Sequence, residues 1–199
     1  FRNMGVLWNL HKFQIEVCET HAFTASALEK IDLKKQGGIE ERYILSKTHS
    51  TLMHVTKLLD AYLINEVPAA IEELFLELSR VYIQMVREKI AIGDDAEKRV
   101  AAATIYHVLA HVLRMLAPIA PYVTDSIHQN LRDYFKWDVQ SIHLQSWMPI
   151  QKQYIDAQLE ERMGVAGSVI AAILAAREKA QLTVRWPVRQ VTVVTSNGW

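Results

Sequence analysis

The stretch DDAEKRVAAATIYHVLAHVLRMLAPIAP, residues 94–121, decides the fold class. Ala101, Ile105, Val108, Val112, Met115 and Leu116 recur every three or four positions, the spacing that lines apolar side chains along one face of an α-helix. Asp94 with Glu97 resembles a capping box, in which each residue satisfies a backbone N–H left open at a helix start. The Pro118 and Pro121 pair ends the pattern, because proline cannot continue a helical hydrogen-bond ladder.

The same spacing extends in both directions, with only seven glycines and five prolines to interrupt it. Toward the N-terminus it predicts a first helix over about Met4 to His21, with Val6, Leu7, Leu10, Phe13 and Val17 inward. After a linker ending at Gly37 and Gly38, a second helix has the stripe Leu45, Leu52, Val55, Leu59 and Tyr62. A third starts at Pro68, where a missing N–H does no harm, carries Ile71, Leu74, Leu78, Tyr82 and Met85, and closes at Gly93. Beyond Pro121 comes a shorter helix with Val123, Ile127, Leu131 and Tyr134, then an extended segment over Ser141 to Trp147. A last helix spans about Asp156 to Ala180, with Leu159, Met163, Ala166, Ile170 and Ile173 buried, and the β-branched run Val191 to Thr195 suits one strand. The expectation is a mainly α protein: an antiparallel helical bundle over residues 1–135 and an appendage of extended segment, long helix and one strand over residues 136–199. Phe1 at the start and Trp199 just past the strand-like run read as the ends of a truncated piece.

With 199 residues, half of them apolar, the chain can bury a core without cross-links. Its one cysteine, Cys18, excludes an internal disulfide framework and fits a reducing, cytoplasmic setting. No apolar run reaches the roughly 18 to 20 residues that span a bilayer. Twenty-two basic residues balance twenty-two acidic ones, so any contact with nucleic acid has to be local rather than a bulk electrostatic grip.

The pattern offers little catalytic chemistry. Phosphate-binding glycine loops, nucleophile elbows and Cys–His arrangements are absent from the sequence, and no two glutamates pair as acid and base. His107 and His111 stand four apart on one helix, as zinc-binding histidines do, but no glutamate adjoins the first and no third ligand is evident, so neither a metal nor a catalytic residue is expected. A metal-dependent bundle enzyme would also need Glu-x-x-His ligands, which the chain lacks. What remains is a basic outer surface. At about 100° per residue, Tyr43, Lys47, Ser50, His54 and Lys57 gather opposite the second helix's stripe, and Arg80, Gln84 and Arg87 share a sector of the third. Cations beside an aromatic suit phosphates and unstacked bases, although a basic helix face is as often only a solvated one.

Several short segments carry a resemblance. Leu7-Trp8-Asn9 with Phe13, then Glu41-Arg42-Tyr43-Ile44-Leu45-Ser46-Lys47, resemble the start of the anticodon-binding domain in the isoleucyl, valyl and leucyl branch of class I aminoacyl-tRNA synthetases. Val81-Tyr82-Ile83 with Arg87 is similar to that family's Trp-Tyr-Ile and downstream arginines, and Leu116-Ala117-Pro118-Ile119-Ala120-Pro121-Tyr122 to its Met-Ala-Pro-Phe-x-Pro stretch. Ser141-Ile142-His143-Leu144 and Trp147 follow in the family's order. Leu182-Thr183-Val184-Arg185-Trp186-Pro187-Val188 looks closest to isoleucyl enzymes of archaeal or eukaryotic type, with the valyl and leucyl enzymes as alternatives. Two features depart from the pattern: Val81 stands where tryptophan is usual, and the arginine cluster is thinned to Arg80, Arg87 and Lys89. The resemblance implies an anticodon-binding bundle that contacts the tRNA for isoleucine through Arg42, Tyr43, Lys47, Lys57, Arg80, Tyr82 and Arg87. It also implies that ATP, magnesium and isoleucine bind to other domains of the ligase, with no cofactor in this region. The rival from a different class is a helical scaffold for protein assembly, which would expose a large apolar patch.

Overall fold

The computed structural model describes residues 3–183 and 185–194. They divide into two units, one running to Ile155 and the other starting at Asp156. The first unit is a helical bundle built around α7 (Asp95–Leu116), which packs against α1 (Met4–Thr20), α4 (Ile39–Asp60), α5 (Val67–Glu77), α6 (Ile83–Ile92) and α8 (Pro121–Phe135). Its inward residues Ala101, Ile105, Val108, Val112, Met115 and Leu116 are all buried, as the spacing predicts. So are Ala102 and Ala103, whose small side chains let neighbouring backbones approach closely enough for Gln14 of α1 to donate to the Ala102 carbonyl at 3.3 Å.

The capping box on α7 is formed on both sides: Glu97 N–H donates to Asp94 Oδ1 at 2.8 Å, and Asp94 N–H donates to Glu97 Oε2 at 3.1 Å. Asp94→Ala should therefore cost about 1 kcal/mol and lower the Tm by roughly 2–4 °C, measured by thermal unfolding. An unchanged Tm would mean that the box does not anchor α7. Gly93, just before it, is required by a close approach, since a Cβ there would lie 2.4 Å from the Lys89 carbonyl oxygen.

Three expectations change in the part of the chain before α7. The linker before Gly37 and Gly38 folds into two short helices, α2 (Ala25–Glu29) and α3 (Leu33–Gln36), capped by Thr24 and Asp32. The second long helix stops at Asp60, so Tyr62 falls outside it in a left-handed conformation and is 86% exposed rather than part of the core. The third helix is continuous in direction but contains a π-helical turn, Leu78–Tyr82, between α5 and α6. A π turn takes more residues per revolution than an α turn, so the buried face rotates and the residue sealed after Tyr82 is Val86 instead of Met85.

The segment after α8 also packs within the first unit. Asp125 accepts from Ser141 Oγ at 2.7 Å and from Ile142 N–H at 3.1 Å, Trp147 Nε1 donates to Thr56 Oγ1 at 3.1 Å, and Ile142 and Met148 are buried. Within the segment expected to be extended, Ser141 to Trp147, a short 3-10 turn forms at Ile142–Leu144 between Ser141 and Gln145 in extended backbone, and a second 3-10 turn follows at Lys152–Tyr154.

The second unit holds α9 (Ala157–Lys179), started by Asp156 accepting from Leu159 N–H at 3.0 Å. Of the residues expected to be buried along it only Leu159 is, and Ile170 is 57% exposed. Residues 185–194 run back beside the helix, held by Arg177, whose guanidinium donates to the carbonyls of Thr183 and Trp186. The expected strand at Val191 to Thr195 is not formed over residues 191–194, because a strand needs a neighbour to complete its ladder and none is present among the described residues; Val184 and Thr195 lie outside those residues.

Candidate nucleic-acid interface

α4 packs against the α5–α6 pair, and their side-chain contacts fix which positions stand level with one another. At the start of α4, Lys89 Nζ of α6 reaches Glu40 Oε2 at 3.1 Å and both Glu41 carboxylate oxygens at 3.3 Å. Glu41 is buried, and it also accepts from Gly38 N–H at 2.8 Å and from the Tyr82 hydroxyl at 3.3 Å. One turn further along, the Tyr43 hydroxyl donates to Glu77, and beyond it Lys47 pairs with Glu73 at 3.1 Å.

Electrostatics inside this network favour its charged form. Burial works against the Lys89 charge, but the hydrogen bond to Glu40 and the nearby Glu41 and Glu40 carboxylates outweigh it and raise the ammonium above its ordinary value. Burial also opposes the Glu40 charge, yet its own backbone N–H and Lys89 keep that carboxyl below the usual range. Burial, reinforced by the Glu41 charge, holds the Tyr82 phenol protonated well above the ordinary tyrosine value.

Against this frame the seven expected RNA contacts separate. Tyr43 and Tyr82 are 5% and 0% exposed, with their hydroxyls committed to Glu77 and Glu41, so both rings are enclosed in this structure rather than on the outer surface. Tyr43 is covered because α4 is buried on more than one side, past the single stripe assumed from spacing, whereas Tyr82 lies on the inward stripe that spacing itself gives the third helix. Lys47 is half-buried and neutralised by Glu73. Arg42, Lys57, Arg80 and Arg87 are exposed, and Gln84 joins them on the outer surface of α6. Arg42, Arg80 and Arg87 are each within two residues of Glu41, Tyr82 or Lys89, which meet near the start of α4. Lys57 stands fourteen residues beyond Tyr43 on α4, roughly 21 Å along the axis at the helical rise. Lys57 thus stands well apart from the arginines near the start of α4 and along the α5–α6 helix, so the basic positions are not one continuous patch.

The buried network and a histidine cluster described below were not visible in the sequence. Glu41 occupies the third position of α4 behind Gly38, where a glutamate reaches back to the helix start. That much was legible; its partners Tyr82 and Lys89 lie about forty to fifty residues away and come together only through packing.

Comparison with known proteins agrees with this architecture. Residues 41–193 match the model of a family described as the anticodon-binding domain of tRNA ligase. The chain is 32% identical over 196 residues to an isoleucine–tRNA ligase of Methanopyrus kandleri, covering 96% of this chain and 18% of that protein. It is 31% identical over 199 residues to one of Methanothrix thermoacetophila, covering 98% of this chain and 19% of that protein, and 30% identical over 195 residues to one of Methanosarcina mazei, covering 96% and 18%. It therefore spans less than a fifth of the length of these relatives. The match from the first turn of α4 through the second unit covers most of the chain, which therefore belongs to the family of tRNA ligase anticodon-binding domains.

Proposed function

We propose that the bundle docks on the anticodon stem and loop of the tRNA for isoleucine, as part of a cytoplasmic isoleucine–tRNA ligase. The observation that carries this reading is the family match across residues 41–193, which takes in every exposed basic residue named above. In this reading Arg42, Arg80 and Arg87 meet backbone phosphates and the edges of unpaired bases, while Lys57 meets a phosphate further along the stem. Lys47 contributes less, because its pair with Glu73 has to be given up first. Activation of isoleucine with ATP and magnesium belongs to the rest of the ligase.

With no net charge to supply a general grip, affinity rests on a few local contacts. Each lost phosphate contact should flatten the dependence of log Kd on log salt by about one unit. Arg80→Ala and Arg87→Ala should each weaken tRNA binding several-fold and reduce that slope, with the Tm unchanged because both side chains are exposed. The measurement is tRNA binding across a salt series, with tRNAs for isoleucine, valine and leucine compared. Parental affinity and slope in both variants would remove this surface as the interface, and equal affinity for the three tRNAs would remove isoleucine specificity from this region.

A further inference from the structure

The absence of a third ligand for His107 and His111 was the reason to expect no metal, and the fold supplies one. His49 comes from α4, which crosses α7 at the level of the two histidines. The ring centroids of His107 and His111 are 4.2 Å apart, and that of His49 lies 5.2 Å from His111 and 5.6 Å from His107. One ring nitrogen from each of the three lies within 4.8 Å of the other two.

The hydrogen bonding is incomplete in a way that calls for a ligand. His49 is fully buried, and neither of its ring nitrogens has a partner; His107 Nε2 is also buried and unpartnered. A buried imidazole ordinarily satisfies at least its N–H. His111 differs, since its Nδ1–H donates to the His107 carbonyl oxygen at 2.8 Å, which leaves the Nε2 lone pair to point elsewhere. Burial keeps all three rings neutral, with His49 and His111 lowered to about 4 and His107 to about 2, so their lone pairs are available at neutral pH.

We infer that His49, His107 and His111 bind one divalent metal ion of the zinc class, with a fourth position facing the adjoining cavity. Tetrahedral bonds of about 2.0–2.1 Å place ligand nitrogens roughly 3.4 Å apart, so closing the site takes side-chain shifts of about an ångström. Three imidazoles and no carboxylate suit zinc, copper or nickel and exclude the oxygen-seeking calcium and magnesium. Tyr154 stacks on His49 with centroids 5.0 Å apart and planes 8° from parallel, and so fixes that ring's orientation. The cavity, about 750 Å³, is lined by His107, His111, Tyr154, Arg114 and Gln145 among others and gives water access to the open position. Arg114 is the charge that opposes a cation here; its guanidinium donates to Gln145 and would meet an anionic fourth ligand such as hydroxide or chloride. An ion in this position would tie α4 to α7 through the middle of the bundle.

The test is titration of the chelator-dialysed protein with cobalt(II), followed by visible absorption, displacement by zinc, and thermal melts. One equivalent of cobalt should give the intense band of a tetrahedral ion, and zinc should bleach it. Zinc at about 100 times its Kd should raise the Tm by roughly 5–10 °C, and magnesium should not. His49→Phe, which keeps the stack on Tyr154, and His107→Gln should each lose roughly 100-fold in affinity, since even groups that only orient a metal ligand are worth about 10- to 100-fold. His143→Ala, at an exposed site, should bind like the parent. No tetrahedral band in the parent, or an unchanged band in both variants, overturns the proposal. If the variants fail to fold, the parent's cobalt spectrum and its zinc-dependent Tm decide the matter alone.

Discussion

Tyr82→Ala should destabilise the bundle by about 3–5 kcal/mol, the range for deleting a fully buried aromatic ring, and lower the Tm by roughly 10 °C or more. Tyr82 is completely enclosed where the π turn joins α6, among the largest sealed side chains in the protein. Removing the ring opens a void that helices anchored on both sides cannot collapse around, and it strips Glu41 of a donor. Tyr82→Phe keeps the ring and loses only that hydroxyl, so it should cost about 1 kcal/mol. The pair also tests where Tyr82 acts. A residue that stacked on an anticodon base would tolerate Phe in RNA binding and lose affinity with Ala while the fold stayed intact. A core residue loses the fold with Ala. Urea and thermal unfolding followed by circular dichroism separate the two, and a parental Tm in Tyr82→Ala would return the ring to the surface.

Lys89→Met should cost about 3 kcal/mol at neutral pH, because it leaves the Glu41 carboxylate buried with the Gly38 N–H and the Tyr82 hydroxyl but without its cation. Methionine keeps the unbranched apolar stem and removes the ammonium, so the loss is chiefly electrostatic rather than a matter of packing. The pH dependence checks the cause. In the parent, Lys89 has a raised pKa, so its contribution is complete below the unfolded lysine value of about 10.4 and fades as pH rises through the folded one. Glu40 has a lowered pKa, so its contribution is present above the unfolded value of about 4.3 and is lost as pH falls through the folded one. Lys89→Met should weaken both limbs, so its deficit should narrow below about pH 4.3, as Glu40 protonates in the parent, and above about pH 10.4, as Lys89 loses its charge. A deficit as large at pH 2.5 and at pH 11.5 as at pH 7 would mean that packing, not charge, explains the loss.

The two kinds of residue in this interface were legible to different degrees. Arg80, Gln84 and Arg87 are outward by their angles on the helix, and they are exposed, because α6 packs chiefly on α7 and its outer side stays open even though the π turn moves the buried position from Met85 to Val86. Tyr43 was placed outward by the same reasoning and is inside. α4 contacts α5, α7, α3 and the turn at Lys152–Tyr154, so its buried surface is wider than a stripe, and Ile44, Leu45, Ser46, Thr48 and His49 are sealed together. An angular argument presumes one buried side, and a helix enclosed by several neighbours breaks that presumption.

The amino-acid sequence by itself determined the mainly α class, the capping box at Asp94, the burial of the α7 stripe and the order of the long helices, and its short segments pointed to the family. These depend on residues within a few positions of one another, where helical geometry converts spacing directly into direction. The tertiary structure alone decided that Lys89 neutralises Glu41, that Tyr82 seals the join after a π turn, and that His49 meets His107 and His111. Each of those meetings joins residues more than forty positions apart, and no local periodicity encodes the axial offset at which one helix settles against another. That offset is set by the interdigitation of many side chains at once, which is why the same local pattern that placed α7 correctly left its histidines without their partner.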